Sequence, residues 1–266
     1  MIDRARLEAI IREAGAIAMA QWPGAGHAPE VWQKTGNSPV SAGDLAVDAY
    51  LRAELFALLP SAGWLSEETA DSPARLAGGL VWLVDPIDGT RDYIRGRTGW
   101  AVSVALVSAG RPLLGYLYAP ARGDSDAGEF WHAEAGHGAW RDDVPLAAST
   151  RAHLPGARVP AYTLQREDAD LTTVYQPNSI ALRIAMVAAD EADLLVTLRW
   201  GFEWDVAAAS LIAREAGAAV TDAFGAPLNY NKPDPRAFGV LVTSAAIHAA
   251  AVERLAERAA RLSLVR

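Results

Sequence analysis

Apolar residues near the start of the chain recur at three- and four-residue steps, from Leu7 to Ala18, and this spacing predicts an amphipathic helix that Pro23 ends. A second helical pattern runs from about Ala42 to Leu59. The segments that follow are short apolar runs bounded by glycine or proline, which is the pattern of strands. We predict strands at Gly63–Ser66, Leu80–Val84, Ala101–Val107, Leu113–Tyr118, Phe130–His132 and Gly138–Trp140.

Strand and helix patterns alternate after Ser179. Residues 1–177 and 178–266 are predicted as two lobes of a single fold, because strand patterns dominate the first segment, whereas strands and helices alternate in the second. This order predicts a layered α/β (α+β) architecture. The predicted elements of the second lobe are helices at Ile180–Ala189 and Val206–Ala216, strands at Asp193–Leu198, Ala218–Thr221 and Gly239–Thr243, and a terminal helix. Gly123–Gly128 and Ala148–Ala169 have weak periodicity and are predicted to be loops or poorly defined strands.

Composition narrows the chemistry that the chain can perform. The 266 residues contain no cysteine, which excludes disulfides, thiolate zinc sites, iron–sulfur clusters and cysteine nucleophiles. The 32 acidic side chains outnumber the 24 basic ones, for a net charge of -8, and this excess argues against a protein that coats nucleic acid. No run of about 18 apolar residues occurs, and charged residues interrupt the first twenty. We therefore expect a cytoplasmic protein without membrane partners.

The densest candidate chemistry lies at residues 82–90, where an apolar strand leads into Asp85, Asp88, Gly89 and Thr90. Two carboxylates with an intervening carbonyl, that of Ile87, suit a hard cation that takes only oxygen ligands. A helix that starts near Thr90 would add free N–H groups that face an anion. Asp-Pro and Asp-Gly pairs are also common in plain turns, so the stretch alone leaves both interpretations open.

Three further acidic positions lie at element boundaries: Glu67-Glu68, Glu203 with Asp205, and Asp44. Each has an ordinary explanation as a solvated pair or a helix cap. Together they provide enough carboxylates for two or three divalent ions, and like charges gathered so closely need metal or protons to coexist. Magnesium is the expected cofactor because the five histidines are scattered without ligand spacing.

These motifs together resemble the inositol monophosphatase superfamily, over nearly the whole chain from Lys34 to Thr243. The resemblance implies the αβαβα sandwich of the inositol monophosphatase and fructose-1,6-bisphosphatase type. Within it the chain looks most like the bacterial 3'(2'),5'-bisphosphate nucleotidase branch. The motifs that carry the resemblance are Ser38-Pro39-Val40 with Asp44, Glu67-Glu68, residues 85–94, Tyr118-Ala119-Pro120, Glu203-Trp204-Asp205, Ala207-Ala208 and Glu215-Ala216-Gly217.

The resemblance implies a role for each matching residue. Glu67, Asp85 and the Ile87 carbonyl would hold a first Mg2+, Asp85, Asp88 and Asp205 a second, and Glu67 would share a third. Thr90, oriented by Asp44, would position and deprotonate a water, so that Asp44, Glu67 and Thr90 are the catalytic set. The backbone N–H groups of Gly89 and Thr90 would bind phosphate, and no covalent phospho-enzyme is needed.

Substrate choice is less constrained. Leu198 stands seven positions before Asp205, where inositol phosphatases often carry an acidic residue, and it cannot bind inositol hydroxyls. Arg183 matches the basic position of the nucleotidase branch and could bind a second phosphate, although it could equally be a surface arginine. Lys34 and Glu203 complete the predicted substrate-binding set.

We therefore expect a magnesium-dependent phosphomonoesterase that acts on a small phosphorylated metabolite, with 3'-phosphoadenosine 5'-phosphate favoured. Inositol-1-phosphate or another sugar monophosphate is the near alternative and histidinol phosphate a more distant one. A non-catalytic metal- or phosphate-binding protein on the same scaffold is the alternative of a different class. Structural calcium sites are disfavoured, because the spacing around Gly89 lacks the glutamate of an EF-hand loop. The resemblance also implies a homodimer.

Overall fold

The computed structural model describes residues 2–34, 38–123 and 127–265, and its helices follow the predicted amphipathic patterns. The loop predicted over Gly123–Gly128 falls in part on residues 124–126, which lie outside the described residues, as do residues 35–37. The helices are α1 (Arg4–Met19), α2 (Ala42–Leu58), α3 (Thr90–Tyr93), α4 (Ile180–Ala188), α5 (Glu203–Glu215) and α6 (His248–Ser263).

The strands of the described residues form four sheets, of which two are large enough to build layers. The first seven strands are β1 (Val31–Gln33), β2 (Pro39–Ser41), β3 (Gly63–Ser66), β4 (Leu80–Asp88), β5 (Ala101–Ser108), β6 (Arg111–Ala119) and β7 (Glu129–Glu134). The remaining strands are β8 (Gly138–Arg141), β9 (Val144–Pro145), β10 (Arg158–Pro160), β11 (Thr172–Val174), β12 (Leu194–Phe202), β13 (Ala219–Thr221) and β14 (Arg236–Thr243).

The chain is an αβαβα sandwich. Helices α1 and α2 cover one face of a seven-stranded sheet of order β3-β4-β5-β6-β7-β8-β9, and α4 and α5 cover the other. A three-stranded sheet of order β12-β14-β13 packs on α4 and α5, and α6 closes the outer face. Side chains alternate between the two cores along each strand: Trp82 and Val84 face α1 and α2, whereas Val81 and Leu83 face α4 and α5.

One core joins the two predicted lobes. The hydrophobic cluster around α4 and α5 includes side chains from Leu65 to Val242. Close packing of α5 on the large sheet depends on Gly115, because a Cβ there would lie 2.6 Å from the carbonyl oxygen of Ala208. This contact fixes the height of α5 above the sheet. No helix in the described part of the chain is both long and apolar enough to cross a membrane.

Several element boundaries differ from the sequence predictions. β4 continues through Asp88 with a bulge between Asp85 and Asp88, so these carboxylates belong to the strand rather than follow it. Helix α5 begins at Glu203, not Val206, and β12 runs on to Phe202. Much of 148–169 is irregular, as predicted, but it also contains β10, which pairs in parallel with β11.

Candidate active site

Three acidic side chains converge where β3 ends, β4 bulges and α5 begins. β3 and β4 are parallel neighbours, with Ser66 opposite Val84, so Glu67 and Asp85 follow at the same edge of the sheet. The N–H of Glu67 donates to the carbonyl of Val84 at 3.3 Å. Asp205 comes from the first turn of α5 and accepts a hydrogen bond from the N–H of Phe202 at 3.1 Å. Ligand oxygens of Glu67, Asp85 and Asp205 lie within 4.8 Å of one another.

This acidic cluster is costly without a counter-ion. Burial raises the pKa of Asp85 well above its usual value, and the nearby charges of Glu67, Asp88 and Asp205 raise it further. Burial also raises the pKa of Asp205, with Asp88 and Glu67 adding to the effect. Desolvation and mutual repulsion therefore both favour a cation or protons among these oxygens.

The donor set fits a hard divalent cation. Glu67, Asp85 and Asp205 present only carboxylate oxygens, which magnesium prefers. The Ile87 carbonyl lies at the same bulge of β4, and the N–H of Ile87 donates to the Asp85 carboxylate at 3.1 Å. These residues would hold Mg2+ without the nitrogen or sulfur ligands that favour zinc.

Asp88 faces a different partner from the other acidic residues. Its carboxylate accepts hydrogen bonds at 2.6 Å from both the hydroxyl of Ser179 and the N–H of Ala181, at the N-terminus of α4. Burial raises the pKa of Asp88 to about 6, although these hydrogen bonds and the charge of Arg183 oppose the rise. Asp88 lines the cleft but lies outside the three-carboxylate group in the described structure. Its role as a metal ligand stays a prediction.

Thr90 and Asp44 form a pair beside the acidic cluster. The Thr90 hydroxyl lies 3.1 Å from an Asp44 carboxylate oxygen and 3.1 Å from the Ile87 carbonyl oxygen. Asp44 occupies the first turn of α2, where its other oxygen accepts from both the N–H and the hydroxyl of Ser41. Burial raises the pKa of Asp44 to about 6, while the hydrogen bonds from Ser41 act to lower it. Asp44 is thus both part of a capping box and the partner of Thr90.

The turn between β4 and α3 requires glycine. Gly89 has φ +98°, and a Cβ there would lie 2.7 Å from the carbonyl oxygen of Gly99 and 2.9 Å from the N–H nitrogen of Ser179. The predicted helix after Gly89 is present as α3, a single turn starting at Thr90. The turn therefore brings Thr90 and the start of α4 to one cleft of about 650 Å3.

The cleft is also lined by basic and aromatic residues. Arg183 and Arg199 both line it, together with the partly exposed ring of Phe202. The half-buried guanidinium of Arg183 donates to the carbonyls of Pro177 and Asn178 at 2.8 and 2.6 Å, so it is not the plain surface arginine of the alternative interpretation. Arg199 was missed by sequence reasoning. The basic and aromatic run Arg199-Trp200-Gly201-Phe202, immediately before Glu203, was the available signal.

Lys34 and Glu203 each pair with side chains of opposite charge in the structure. The ammonium of Lys34 donates to Glu67 at 2.9 Å and to Glu68 at 2.6 Å, so it lies against the acidic side. Burial would lower the pKa of Lys34, but the two carboxylates outweigh it and raise the pKa. Glu203 is buried and pairs with Lys232 at 3.0 Å, and it lies between the cleft-lining residues Phe202 and Asp205 in the chain without itself lining the cleft. The roles of Lys34 and Glu203 in substrate binding stay predictions.

Glu203 instead anchors the start of α5. Its carboxylate also accepts the N–H groups of Asn231 and Lys232 at 2.5 and 3.2 Å. Arg75 donates to the Asn231 side chain at 2.6 Å and to Asp71 at 2.6 and 2.9 Å. This network connects the chain just after Glu67 to the helix that carries Asp205.

Comparison with known proteins finds one family over nearly the whole chain. The model of the inositol monophosphatase family matches residues 2–263. The 3'(2'),5'-bisphosphate nucleotidase CysQ of Escherichia coli O157:H7 is 33% identical over 234 residues, covering 83% of this chain and 91% of that protein. The 3'-phosphoadenosine 5'-phosphate phosphatase of Mycobacterium leprae is 33% identical over 205 residues, covering 73% of each. The solved IMPase of Thermotoga maritima, 27% identical, superposes with a TM-score of 0.83 over 98% of this chain and 100% of its own.

Proposed function

The chain belongs to the inositol monophosphatase family of phosphatases, and we propose that it is a magnesium-dependent phosphomonoesterase whose favoured substrate is 3'-phosphoadenosine 5'-phosphate, which it converts to AMP and phosphate. The observation that carries the substrate assignment is the presence of two arginines in the cleft of the acidic cluster. Arg183 and Arg199 line the same cleft as Glu67, Asp85 and Asp205.

A second phosphate on the substrate gives these arginines a ligand. A monophosphate of a neutral polyol offers one anion, which the metal would bind, and gives Arg183 and Arg199 no second anion to bind. A bisphosphate offers a second anion, to which Arg199 could donate through both arms of its guanidinium and Arg183 through the nitrogen that the Pro177 and Asn178 carbonyls leave open. Relatives that are 33% identical include proteins named as a bisphosphate nucleotidase and as a 3'-phosphoadenosine 5'-phosphate phosphatase.

The chain's own groups define the roles in hydrolysis. When bound, magnesium supplies the positive charge that attracts phosphate, stabilises the transition state and lowers the pKa of water. Glu67, Asp85 and Asp205 would hold it. The Thr90 hydroxyl donates to Asp44, so its oxygen lone pairs are oriented to accept a hydrogen bond from the attacking water. Asp44, with its raised pKa, is poised to take up the proton through Thr90.

Release of phosphate from a panel of substrates tests this function. We expect 3'-phosphoadenosine 5'-phosphate to have a kcat/KM at least tenfold above those of inositol-1-phosphate and histidinol phosphate, and a chelator to abolish turnover. Faster hydrolysis of inositol-1-phosphate would overturn the substrate assignment. Full turnover after chelation would overturn the metal requirement.

A substitution of Arg199 separates the two substrate classes. Arg199→Gln should raise KM for the bisphosphate at least tenfold, because the second phosphate loses a charged donor. Arg111→Gln, at an exposed position on the large sheet, is the matched control and should leave KM unchanged. Equal KM values for the Arg199 and Arg111 variants would contradict a role of Arg199 in binding the second anion.

A further inference from the structure

A second cavity of about 640 Å3 adjoins the catalytic cleft. It lies between β12, α6 and the segment that follows β10, and its walls share Gln176 and Arg183 with the cleft. A molecule held at the carboxylates can therefore extend past Arg183 into this space. The volume is typical of small-molecule sites, and it is separate from the volume that the phosphate and metals would fill.

The floor of this cavity is aliphatic. β12 contributes Leu194, Val196 and Leu198 on the face that it turns toward α6, and α6 contributes Leu255. A polyol would leave several hydroxyls without hydrogen-bond partners against such a floor, and burying an unpaired hydroxyl is unfavourable. A flat, weakly polar ring system would lose nothing there.

The walls of the cavity carry neutral polar groups. Thr163, Gln165 and Gln176 all line it, and Gln176 is held in place by a hydrogen bond that its side-chain oxygen accepts from the N–H of Tyr162 at 2.9 Å. Amide and hydroxyl groups can both donate and accept, as the edge of a nucleobase requires. The combination of an aliphatic floor and a neutral polar edge suits a heteroaromatic ring.

Two of the arginines around the cavity already have carboxylate partners. Arg254 forms paired hydrogen bonds to Asp170 at 2.8 and 2.9 Å, and Arg258 forms them to Asp168 at 2.6 and 2.8 Å. These ion pairs connect the segment after β10 to α6, and they neutralise both guanidinium groups. These two guanidinium groups are therefore already satisfied and do not themselves require an anionic ligand in the cavity, which Arg261 also lines.

We propose that this cavity receives the neutral, planar nucleobase of the phosphomonoester substrate, while the adjoining cleft holds its phosphates. The inference rests on the proposed phosphatase function and adds to it the recognition of the leaving group. Val196 and Leu198 then act as specificity-determining residues, because their side chains form the surface on which the base lies.

A substrate without a base tests the inference directly. The probes are 3'-phosphoadenosine 5'-phosphate and the same sugar bisphosphate with hydrogen in place of adenine. In the unmodified protein we expect kcat/KM for the nucleotide to exceed that for the base-free compound at least a hundredfold. Val196→Phe, which fills the cavity, should reduce this ratio at least tenfold.

Val144→Phe is the matched control, because Val144 is 61% exposed on the edge strand β9 and contacts neither cavity. It should leave the ratio unchanged. Leu198→Phe provides a second filled cavity should Val196→Phe not fold, and calorimetric binding of AMP to both variants should weaken at least tenfold.

Each result separates the inference from the function on which it rests. A ratio near one in the unmodified protein, or a ratio that neither filled variant changes, would overturn the nucleobase site while phosphatase activity stands. Hydrolysis of inositol-1-phosphate with neither bisphosphate turned over would instead overturn the proposed function itself.

Discussion

At the scale of one residue, Asp85 is a position where a group proposed to bind metal lowers the stability of the metal-free protein. Its carboxylate is fully buried among other acidic groups, and burial together with their charges raises its pKa. An ionised carboxylate in such surroundings opposes folding unless a cation joins it. The position is thus maintained by what it binds, and replacing it should separate stability from activity.

Asp85→Asn should abolish most activity and stabilise the metal-free protein. The amide oxygen can still accept the N–H of Ile87, which is now 3.1 Å from the carboxylate, while the repulsion from Glu67 and Asp205 disappears. We expect at least a hundredfold fall in kcat and a gain of about 1–2 kcal/mol in the free energy of unfolding with chelator present.

Phosphate release and urea denaturation measure these two effects. Asp143→Asn, at an exposed turn, is the control and should change neither quantity. Near-normal kcat in the Asp85 variant would contradict its assignment to the metal site. A loss of stability would contradict the repulsion argument.

At the scale of elements, the sequence predicted β3 over Gly63–Ser66 to the residue but ended β4 four residues early. β3 is a short apolar run with clear limits, so local pattern sufficed. The continuation of β4 through Asp85 and Asp88 depends on pairing with β5 across a bulge, which local pattern does not encode. Likewise α5 begins at Glu203 because a buried network holds that carboxylate, and its partners lie 28 or more positions along the chain.

Glu203→Gln should lower turnover of every substrate by the same factor. The variant loses the ion pair with Lys232 and the hydrogen bond that its second oxygen accepts, so the start of α5 and Asp205 shift together. We expect kcat to fall about 3–10-fold for both the bisphosphate nucleotide and inositol-1-phosphate, with a loss of about 1–3 kcal/mol in stability. A fall confined to one substrate would instead indicate that Glu203 contacts the leaving group.

Glu215→Gln controls for stability alone. Glu215 lies at the other end of α5, where it accepts the N–H groups of Gly136 and Gly138 at 2.9 Å each. It should reduce the free energy of unfolding while leaving kcat within twofold. The comparison distinguishes a helix that is merely weakened from one whose catalytic end has moved.

At the scale of the whole molecule, the sequence located the acidic cluster but not the spaces around it. The carboxylates could be found because each stands at an element boundary in a recognisable motif. The 640 Å3 cavity could not, because Leu194 and Leu255 read as ordinary core positions in their own elements. Only the packing of α6 on the outer sheet shows that these side chains line a space. The excess acidity, a net charge of -8, is partly explained by the site, where a cation reverses the local sign.

Asp193 links distant parts of the chain and gives stability a defined pH dependence. It lies just before β12 and accepts hydrogen bonds from the hydroxyl of Ser149 at 2.5 Å and from the N–H of Arg158 at 2.8 Å. The Arg158 guanidinium donates to the same carboxylate at 2.8 and 3.0 Å. Burial opposes ionisation, but these donors outweigh it and lower the pKa of Asp193 to about 2.

Asp193→Asn should therefore destabilise the protein at neutral pH and much less in acid. A carboxyl whose folded-state pKa lies below its unfolded value of about 3.9 stabilises the fold above that value, and the contribution disappears as pH falls through about 2. The pKa difference corresponds to about 2.5 kcal/mol, which the variant should lose between pH 5 and 7 in urea denaturation. Asp190→Asn is the matched control, because Asp190 pairs with the same arginine but is 58% exposed, and it should cost less than about 0.5 kcal/mol. A difference between the Asp193 variant and the unmodified protein that is as large at pH 2.5 as at pH 7 would show that packing, not charge, makes this position important.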